Sequence, residues 1–152
     1  MKTNLFLAEM TYEEAAEAAK RGAVAFLPTG ATEAHGPHLP LETDVIISRT
    51  AAERAARQLD SQGSPAVVLP PIAYAVTEFA ADFGGTLSLP YETAMALVRD
   101  VIVGAGRAGF CGVVVCNAHL EPGNLRALKQ AVKEAVEAVS YTHLTLPTIC
   151  SV

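Results

Sequence analysis

The sequence lacks the features that mark several large classes of protein. It has no cluster of lysine and arginine and no series of aromatic residues, and its formal net charge at pH 7 is -5. We therefore expect no nucleic-acid partner, because such binding depends on concentrated positive charge. No apolar run reaches the roughly 18 residues of a membrane helix, and the N-terminus turns acidic before the apolar region of a secretory signal can form. We therefore expect a cytoplasmic protein that acts on a small molecule and has no membrane partner.

Cysteine is also scarce. Three cysteines do not make a disulfide framework. Cys111 and Cys116 lie five residues apart in an apolar, strand-like run, so their side chains should point to opposite faces. We expect both to be buried, reduced thiols.

What is present is enough for one globular domain. The chain has 152 residues, of which 51% are hydrophobic, and this supplies a buried core. Apolar runs and helical periodicity alternate along the chain. Strands that alternate with helices predict an α/β fold with a mainly parallel sheet covered on both faces. The predicted strands are 23–28, 66–72 and 111–117, and the predicted helices follow Thr11 and cover 44–59, 91–103 and 124–138.

Two short loops carry side chains that bind metals. Glu33 and His35 are separated by one residue, so in an extended segment they project to the same side. His119 and Glu121 repeat this arrangement beyond the third predicted strand. Loops that follow parallel strands emerge at the same edge of a sheet, so the two pairs are expected to converge. Asp44 closes the first loop at the predicted start of a helix.

The chemistry of these five side chains points to divalent metal ions. Two histidines and three carboxylates suit Zn, Mn or Fe(II), with oxygen-rich coordination and no thiolate. Five ligands are too many for one tetrahedral zinc that keeps a position open. Two ions that share a bridging carboxylate fit the number better. Taken alone, the first loop is also compatible with a purely structural turn, because glycine and proline punctuate it.

Three segments carry a family resemblance. The stretch "PTGATEAHGPHLPLETD" resembles the signature of the creatininase (creatinine amidohydrolase) family, and "DFGGTLSL" and "NAHLEPGN" are similar to its Phe-Pro-Gly-Thr and Asn-Gly-His-x-Glu segments. The resemblance spans the chain from about Leu5 to Ala138. It implies a three-layer αβα sandwich, usually assembled as a hexamer. It also implies hydrolysis of a C–N bond in a small molecule: an amide, a cyclic amide such as creatinine, or a formamide, although some members act on small peptides.

The same resemblance implies roles for individual residues. Glu121, or the histidine of the missing C-terminal part, would carry protons between water and the leaving nitrogen, and Glu121 would also bind metal. Thr77 lies roughly where the family places a hydroxyl that contacts substrate. His38 falls outside the ligand set, and we expect it to support the site through a hydrogen bond. The implied ligands of two divalent ions per subunit (Zn, Mn or Fe) are Glu33, His35, Asp44, His119 and Glu121, with Asp44 as the bridging carboxylate.

The sequence also departs from the family pattern. Gly84 replaces a common proline and Ala118 a common glycine, but neither change removes a ligand. The family's remaining catalytic residues, including a histidine, would lie beyond Ala138, so the C-terminal part of the domain is expected to be missing. Residues 139–152, "VSYTHLTLPTICSV", have no helical period, and "VSYTHL" resembles one reading frame through a transposon-end adapter. We therefore predict a truncated domain at 1–138 and a non-native tail at 139–152.

One motif supports an alternative function. "VGAGRAGF" contains Gly104, Gly106 and Gly109 at the spacing of a dinucleotide-binding loop. That loop requires a strand before it and a helix after it, whereas here a predicted helix precedes and a predicted strand follows. The glycines are therefore expected to end the helix and turn the chain. An NAD-dependent oxidoreductase and a non-catalytic metal-binding or assembly module stay as the two alternatives.

Overall fold

Helices and strands alternate through the described part of the chain, residues 4–139 of a computed structural model. No described helix combines the length and the apolarity needed to cross a membrane. The predicted tail at 139–152 lies, apart from Val139, outside the described residues. The elements in chain order are a short 3-10 helix at Leu7–Glu9, α1 at Tyr12–Lys20, β1 at Val24–Thr29, α2 at Thr43–Ser61, β2 at Ala66–Val68, α3 at Tyr91–Arg107, β3 at Gly112–Asn117 and α4 at Pro122–Val139.

The three strands form one parallel sheet in the order β2-β1-β3. Val24 of β1 pairs with Ala66 on one side and with Gly112 on the other. Helix α2 connects β1 to β2, and α3 connects β2 to β3, as crossover connections between parallel strands require. The predicted parallel α/β sheet is confirmed. All three strands therefore end at the same edge, where the loops after β1 and β3 meet.

Alternate residues of β1 face two different layers of helix. Ala25 and Leu27 are fully buried in a core formed with α1, α3 and α4. Phe26 points the other way, into a second core formed with α2 residues such as Ala52 and Ala56. This alternation follows from the two-residue period of a strand. The resulting layers confirm the expected three-layer αβα sandwich.

Helix α1 begins where its sequence predicts. The Thr11 hydroxyl accepts a hydrogen bond from the backbone N–H of Glu14 at 3.3 Å, and the Glu14 carboxylate accepts one from the backbone N–H of Thr11 at 2.7 Å. This reciprocal capping box satisfies N–H groups that the first helical turn leaves unpaired. The chain then turns at Gly22, whose φ of 77° is readily adopted by glycine.

Two element boundaries differ from the sequence prediction by more than two residues. Strand β2 stops at Val68, and beyond it Ile72 makes only an isolated bridge to Thr29. Pro70 and Pro71 lie between, and a proline has no N–H to donate to a sheet. Helix α3 runs past Val103 to Arg107.

The glycines of "VGAGRAGF" do not act together. Gly104 and Gly106 lie inside α3, so the prediction that they end the helix was wrong. Gly109 does turn the chain, with a φ of 92°. The helix continues because a glycine lowers helix stability by only about 1 kcal/mol relative to alanine, which tertiary packing offsets.

The two cysteines near β3 have different surroundings. Cys116 is buried, as predicted, and burial raises the pKa of its thiol to about 11. Cys111 is exposed, and its sulfur lies 3.0 Å from the carbonyl oxygen of Gly22. The prediction of burial was wrong for Cys111 because this residue precedes β3 rather than lying within it.

Candidate metal centre

Asp44 reaches the edge of the sheet because β1 and α2 approach very closely. A Cβ atom on Gly30 would lie 2.7 Å from the backbone nitrogen of Val45 and 2.8 Å from the carbonyl carbon of Asp44. Only a residue without a side chain fits directly after β1 at this distance. Asp44 lies in the first turn of α2 and is 5% exposed. The close contact therefore holds a buried carboxylate beside the loop that follows β1.

His35 lies in that loop and faces Asp44. Its Nδ1 lies 3.2 Å from the backbone oxygen of Glu33, to which it donates a hydrogen bond when that nitrogen carries the proton. Its Nε2 lies 3.0 Å from Asp44 Oδ1 and 3.7 Å from Glu33 Oε1. One ring nitrogen is thus paired with a backbone carbonyl, and the other is directed at two carboxylates.

His119 repeats this arrangement from the loop after β3. Its Nε2 lies 2.9 Å from the carbonyl oxygen of Val76, so the proton is held on that nitrogen. Its Nδ1 lies 3.1 Å from Glu33 Oε1 and 3.0 Å from Asp44 Oδ2. The ring is 4% exposed. Asp44 therefore offers one oxygen to each histidine.

These contacts fit a divalent metal ion. When a histidine donates through one nitrogen to a carbonyl, its other nitrogen carries a lone pair, as metal-binding histidines do. Here both lone pairs face carboxylate oxygens, which are also acceptors, so a proton or a cation must lie between them. Asp44 Oδ2 is buried and accepts no hydrogen bond from residues 4–139. Nitrogen and oxygen donors without sulfur suit Zn, Mn and Fe(II).

The directions of the pKa shifts of Asp44 and His119 also indicate that the centre attracts positive charge. Burial by itself raises the pKa of Asp44, but its contacts with His119 and His35 together outweigh burial and hold the pKa below its ordinary value. Burial lowers the pKa of His119, whereas Asp44, the Val76 carbonyl and Glu33 together raise it above the ordinary value. The carboxylates of Asp44 and Glu33 thus stabilise a cation at this position.

The structure brings four of the five predicted ligands into contact. Ligand atoms of Glu33, His35 and Asp44 lie within 4.8 Å of one another, and His119 contacts two of these residues. Glu121 stands apart. Its Oε1 accepts a hydrogen bond from the backbone N–H of residue 78 at 3.1 Å, and its Oε2 accepts one from that of residue 79 at 3.2 Å. It nevertheless lines the same cavity.

That cavity has a volume of about 440 Å³ and opens beside the histidines. Its wall combines charged and apolar side chains, including two highly exposed phenylalanines. A small organic molecule fits such a mixture of polar groups and apolar surface. The side chains that line it include Glu33, His35, Phe79, Phe83, His119 and Glu121.

Two further residues belong to the predicted site, His38 as a supporting residue and Thr77 as a substrate contact. His38 is exposed, and its ring makes no hydrogen bond to any residue in 4–139, so the expected supporting bond is not seen. Gly36 has a left-handed φ of 73°, and a Cβ built on it would lie 3.4 Å from two atoms of the His38 ring. Thr77 is fully buried, and its hydroxyl donates a hydrogen bond to Glu33 Oε2.

Other residues that shape the centre were not predicted from the sequence. Asn117, the last residue of β3, donates through Nδ2 to the carbonyl oxygen of His119 at 2.6 Å and accepts a hydrogen bond from Thr29 at 3.1 Å. Asn124 is buried and donates to the same carbonyl at 3.3 Å. Both asparagines lie in "NAHLEPGN". A polar residue at each end of this loop was the sequence feature from which their role could have been predicted. The Val76 carbonyl gave no signal, because it is a backbone group of an apolar residue.

The dinucleotide-binding alternative conflicts with the fold. Gly104 and Gly106 are inside α3, and strand β3 rather than a helix follows Gly109. Within residues 4–139, therefore, no helix begins directly after these glycines to receive a pyrophosphate. An NAD-dependent oxidoreductase built on this motif is excluded.

The fold and the site together define an α/β protein with a histidine–carboxylate centre at the carboxyl edge of a parallel sheet. The family model described as "Creatininase: Creatinine amidohydrolase" matches residues 8–149. The chain belongs to the creatininase family, which confirms the resemblance found in its sequence motifs.

Known proteins similar to the chain come from two groups. A mycofactocin precursor peptide peptidase of Mycobacterium ulcerans (strain Agy99) is 36% identical over 115 residues, which cover 71% of this chain and 44% of that protein. A creatinine amidohydrolase of Pseudomonas putida is 31% identical over 127 residues, covering 80% of this chain and 47% of that protein. The chain therefore spans less than half the length of these curated relatives.

Solved structures show the same fold. A crystal structure of creatinine amidohydrolase (creatininase) superimposes with a TM-score of 0.83 at 27% identity, covering 93% of this chain and 56% of that chain. A structure named "Creatininase Mn" gives a TM-score of 0.82 at 27% identity and covers 94% of this chain and 57% of that chain.

Proposed function

We propose that the protein containing this chain is a metal-dependent amidohydrolase that cleaves a C–N bond other than a peptide bond in a small amide, cyclic amide or formamide. One observation carries the proposal. His35 and His119 each place one ring nitrogen against a backbone carbonyl and direct the other at carboxylate oxygens 3.0–3.1 Å away. This is the arrangement of a site built for cations, and family membership supplies the reaction class.

We further propose that two divalent ions bind per subunit, with Asp44 between them. The separation of its oxygens supports this, because Oδ1 faces His35 and Oδ2 faces His119. Glu33 and Glu121 complete the ligand set. The metals are Zn, Mn or Fe. A creatininase mutant described as "Zn-Zn type" is similar to this chain, with a TM-score of 0.79 at 26% identity, covering 93% of this chain and 56% of that chain.

In this proposal the metal ions would activate a water molecule and polarise the substrate carbonyl. The Val76 carbonyl keeps the proton of His119 on Nε2, so Nδ1 is free to bind. Glu121 lines the cavity and is assigned the proton transfer from water to the leaving nitrogen. Each of its oxygens accepts one backbone N–H and keeps a second lone pair for that role.

Peptide cleavage is the second candidate. The relatives named mycofactocin precursor peptide peptidase are 35–38% identical over about 70% of this chain, compared with 31% for the creatinine amidohydrolase. Both reactions hydrolyse an amide, and a metal-activated water would serve either of them. The substrate is thus a small molecule or a peptide, and we propose that the full-length protein acts as a cytoplasmic homo-oligomer, a hexamer by analogy with the family.

Metal analysis followed by hydrolysis assays tests the function. The purified protein, loaded with Zn²⁺, Mn²⁺ or Fe²⁺, is incubated with creatinine, with a formamide and with a short peptide. The products are measured against an Asp44→Asn variant: the ring-opened acid from creatinine, the free amine from the formamide and the new amino terminus from the peptide. Metal-dependent hydrolysis of creatinine or the formamide supports an amidohydrolase, and hydrolysis of the peptide alone supports the second candidate. Bound metal with no hydrolysis favours the non-catalytic metal-binding module. Failure to bind any of the three metals contradicts the proposal.

A further inference from the structure

Four consecutive residues after β2 contact three different parts of the candidate metal centre. The Val76 carbonyl lies 2.9 Å from His119 Nε2, and the Thr77 hydroxyl donates to Glu33 Oε2. The next two backbone N–H groups donate to the two oxygens of Glu121 at 3.1 and 3.2 Å. Residues 76–79, which we name the backing segment, therefore pack against the ligands. Within the segment, Thr77 is the residue that acts on a ligand through its side chain.

Thr77 is held in place from both sides. Its side chain is fully buried, and its backbone N–H donates to Ser88 Oγ at 3.0 Å. Ala75 and Leu89 continue this pairing, with the Leu89 N–H 2.8 Å from the Ala75 carbonyl oxygen. Thr77 is not among the residues that line the cavity. Its hydroxyl is therefore directed at Glu33 and not at the space where a substrate fits.

Because of the hydrogen bond from Thr77, the two oxygens of Glu33 have different partners. Oε2 is occupied by the hydroxyl, while Oε1 is left facing His119 at 3.1 Å and His35 at 3.7 Å. A neutral donor on one oxygen stops the carboxylate from rotating and leaves one oxygen for a cation. Outer hydrogen bonds of this kind orient ligating carboxylates in metal sites.

We infer that Thr77 is a positioning residue that fixes Glu33 for metal binding, in place of the substrate contact expected from its position in the sequence. The inference rests on the proposed function, because it requires that Glu33 binds metal. Loss of the hydroxyl would leave Glu33 Oε2 without its donor. The metal affinity of the protein should then fall even when no substrate is present.

Metal titration of three variants tests this role without measuring activity. Thr77→Val keeps the shape and removes the hydroxyl, Thr77→Ser keeps the hydroxyl, and Thr77→Ala removes it without branching at Cβ. Zn²⁺ affinity is measured by competition with a chromophoric chelator, and the visible spectrum of bound Co²⁺ reports the ligand geometry. We expect about 10–100-fold weaker Zn²⁺ binding and an altered Co²⁺ spectrum for Thr77→Val and Thr77→Ala. Thr77→Ser should bind as the wild type does.

Thr11→Val is the matched control. It removes a threonine hydroxyl that caps α1, so it lowers stability and should leave metal affinity unchanged. Unchanged Zn²⁺ affinity in Thr77→Val and Thr77→Ala would overturn the inference, and a raised KM in those variants would point to a substrate contact instead. If the wild type itself binds neither Zn²⁺ nor Co²⁺, the proposed function fails rather than the role of Thr77. Thr77→Ala keeps the test decisive should the valine variant not fold.

Discussion

His119 Nδ1 lies 3.0 Å from Asp44 Oδ2, yet this buried oxygen accepts no hydrogen bond from the described residues 4–139. A buried carboxylate oxygen without a partner is costly, and native structures avoid it unless an ion or a function explains it. The Val76 carbonyl keeps the histidine proton on the opposite ring nitrogen. The two atoms therefore face each other as two acceptors, and a cation between them would satisfy both.

Asp44→Asn should abolish most of the metal binding. The substitution keeps the shape of the side chain but removes its negative charge and turns one oxygen into an N–H donor. We expect the affinity for Zn²⁺ to fall by more than the roughly 10–100-fold that follows loss of an outer-shell partner. Elemental analysis after dialysis measures the bound metal. Asp60→Asn, at an exposed position of the same helix, should retain the wild-type content. Equal metal content in the two variants would argue against Asp44 as a ligand.

Metal removal should lower the stability of the fold. The site joins the loops after β1 and β3 to the first turn of α2, so an ion bound there favours the folded state. At a free metal concentration 100 times the Kd, binding to the folded state alone adds about 2.7 kcal/mol. We expect the denaturant midpoint of the wild type to rise with Zn²⁺ and to fall back with a chelator. The midpoint of Asp44→Asn should respond to neither treatment. If the denaturant midpoint of the wild type changed with neither Zn²⁺ nor the chelator, a metal site in the folded chain would be contradicted.

Gly30→Ala should weaken the site through backbone displacement. The added Cβ would lie 2.7 Å from the Val45 nitrogen, so α2 must shift away from β1 and carry Asp44 with it. Overpacking of this kind costs about 1–3 kcal/mol, and we expect weaker Zn²⁺ binding in addition. Chemical denaturation and metal titration measure the two effects.

Gly104→Ala is the matched control for this substitution. Nothing lies within 4 Å of a Cβ built at Gly104, and the residue is helical. We expect this variant to be about 0.5–1 kcal/mol more stable than the wild type, with unchanged metal binding. If Gly30→Ala and Gly104→Ala had the same free energy of unfolding, the contact between β1 and α2 would not be tight.

Much of the fold could be predicted from the sequence because its signals are local. The Thr11 capping box and the apolar run of β1 depend on residues within one turn or one strand. The end of β2 was set too late because apolarity continues through Leu69 to Ile72 while the prolines interrupt the pairing. The end of α3 was set too early because glycine disfavours a helix locally, whereas packing of the helix against the sheet and α4 keeps Gly104 and Gly106 helical.

The candidate site was predictable where side-chain chemistry carried the signal. Glu33, His35, Asp44 and His119 converge as expected because parallel strands deliver their loops to one edge. The backing segment was not predictable, because three of its four contacts use backbone groups, which every residue possesses. The sequence does not indicate which backbone carbonyl will accept a hydrogen bond from a given histidine.

Asn117→Asp should loosen the His119 loop with almost no change in volume. The Asn117 amide donates to the His119 carbonyl oxygen at 2.6 Å, and the aspartate would place a carboxylate oxygen against that carbonyl. We expect a loss of about 1–3 kcal/mol in the free energy of unfolding and weaker Zn²⁺ binding. Asn4→Asp makes the same change where an amide donates to the Glu9 carbonyl, far from the site in sequence and exposed. Only the Asn117 variant should lose metal affinity.

Cys111 and Cys116 should differ sharply in reactivity. Only a thiolate attacks iodoacetamide, and burial raises the pKa of the Cys116 thiol to about 11, so at pH 8 it stays protonated as well as shielded. Cys111 is exposed and should be labelled. Because the folded pKa of Cys116 lies above its ordinary value, the unfolded chain loses this proton first. Stability should thus be unaffected below about pH 9 and fall as the pH rises toward 11. Mass spectrometry of the peptides measures labelling, and both cysteines should react equally in denaturant. Rapid labelling of Cys116 in the folded chain at pH 8 would mean that the second core, between the sheet and α2, opens.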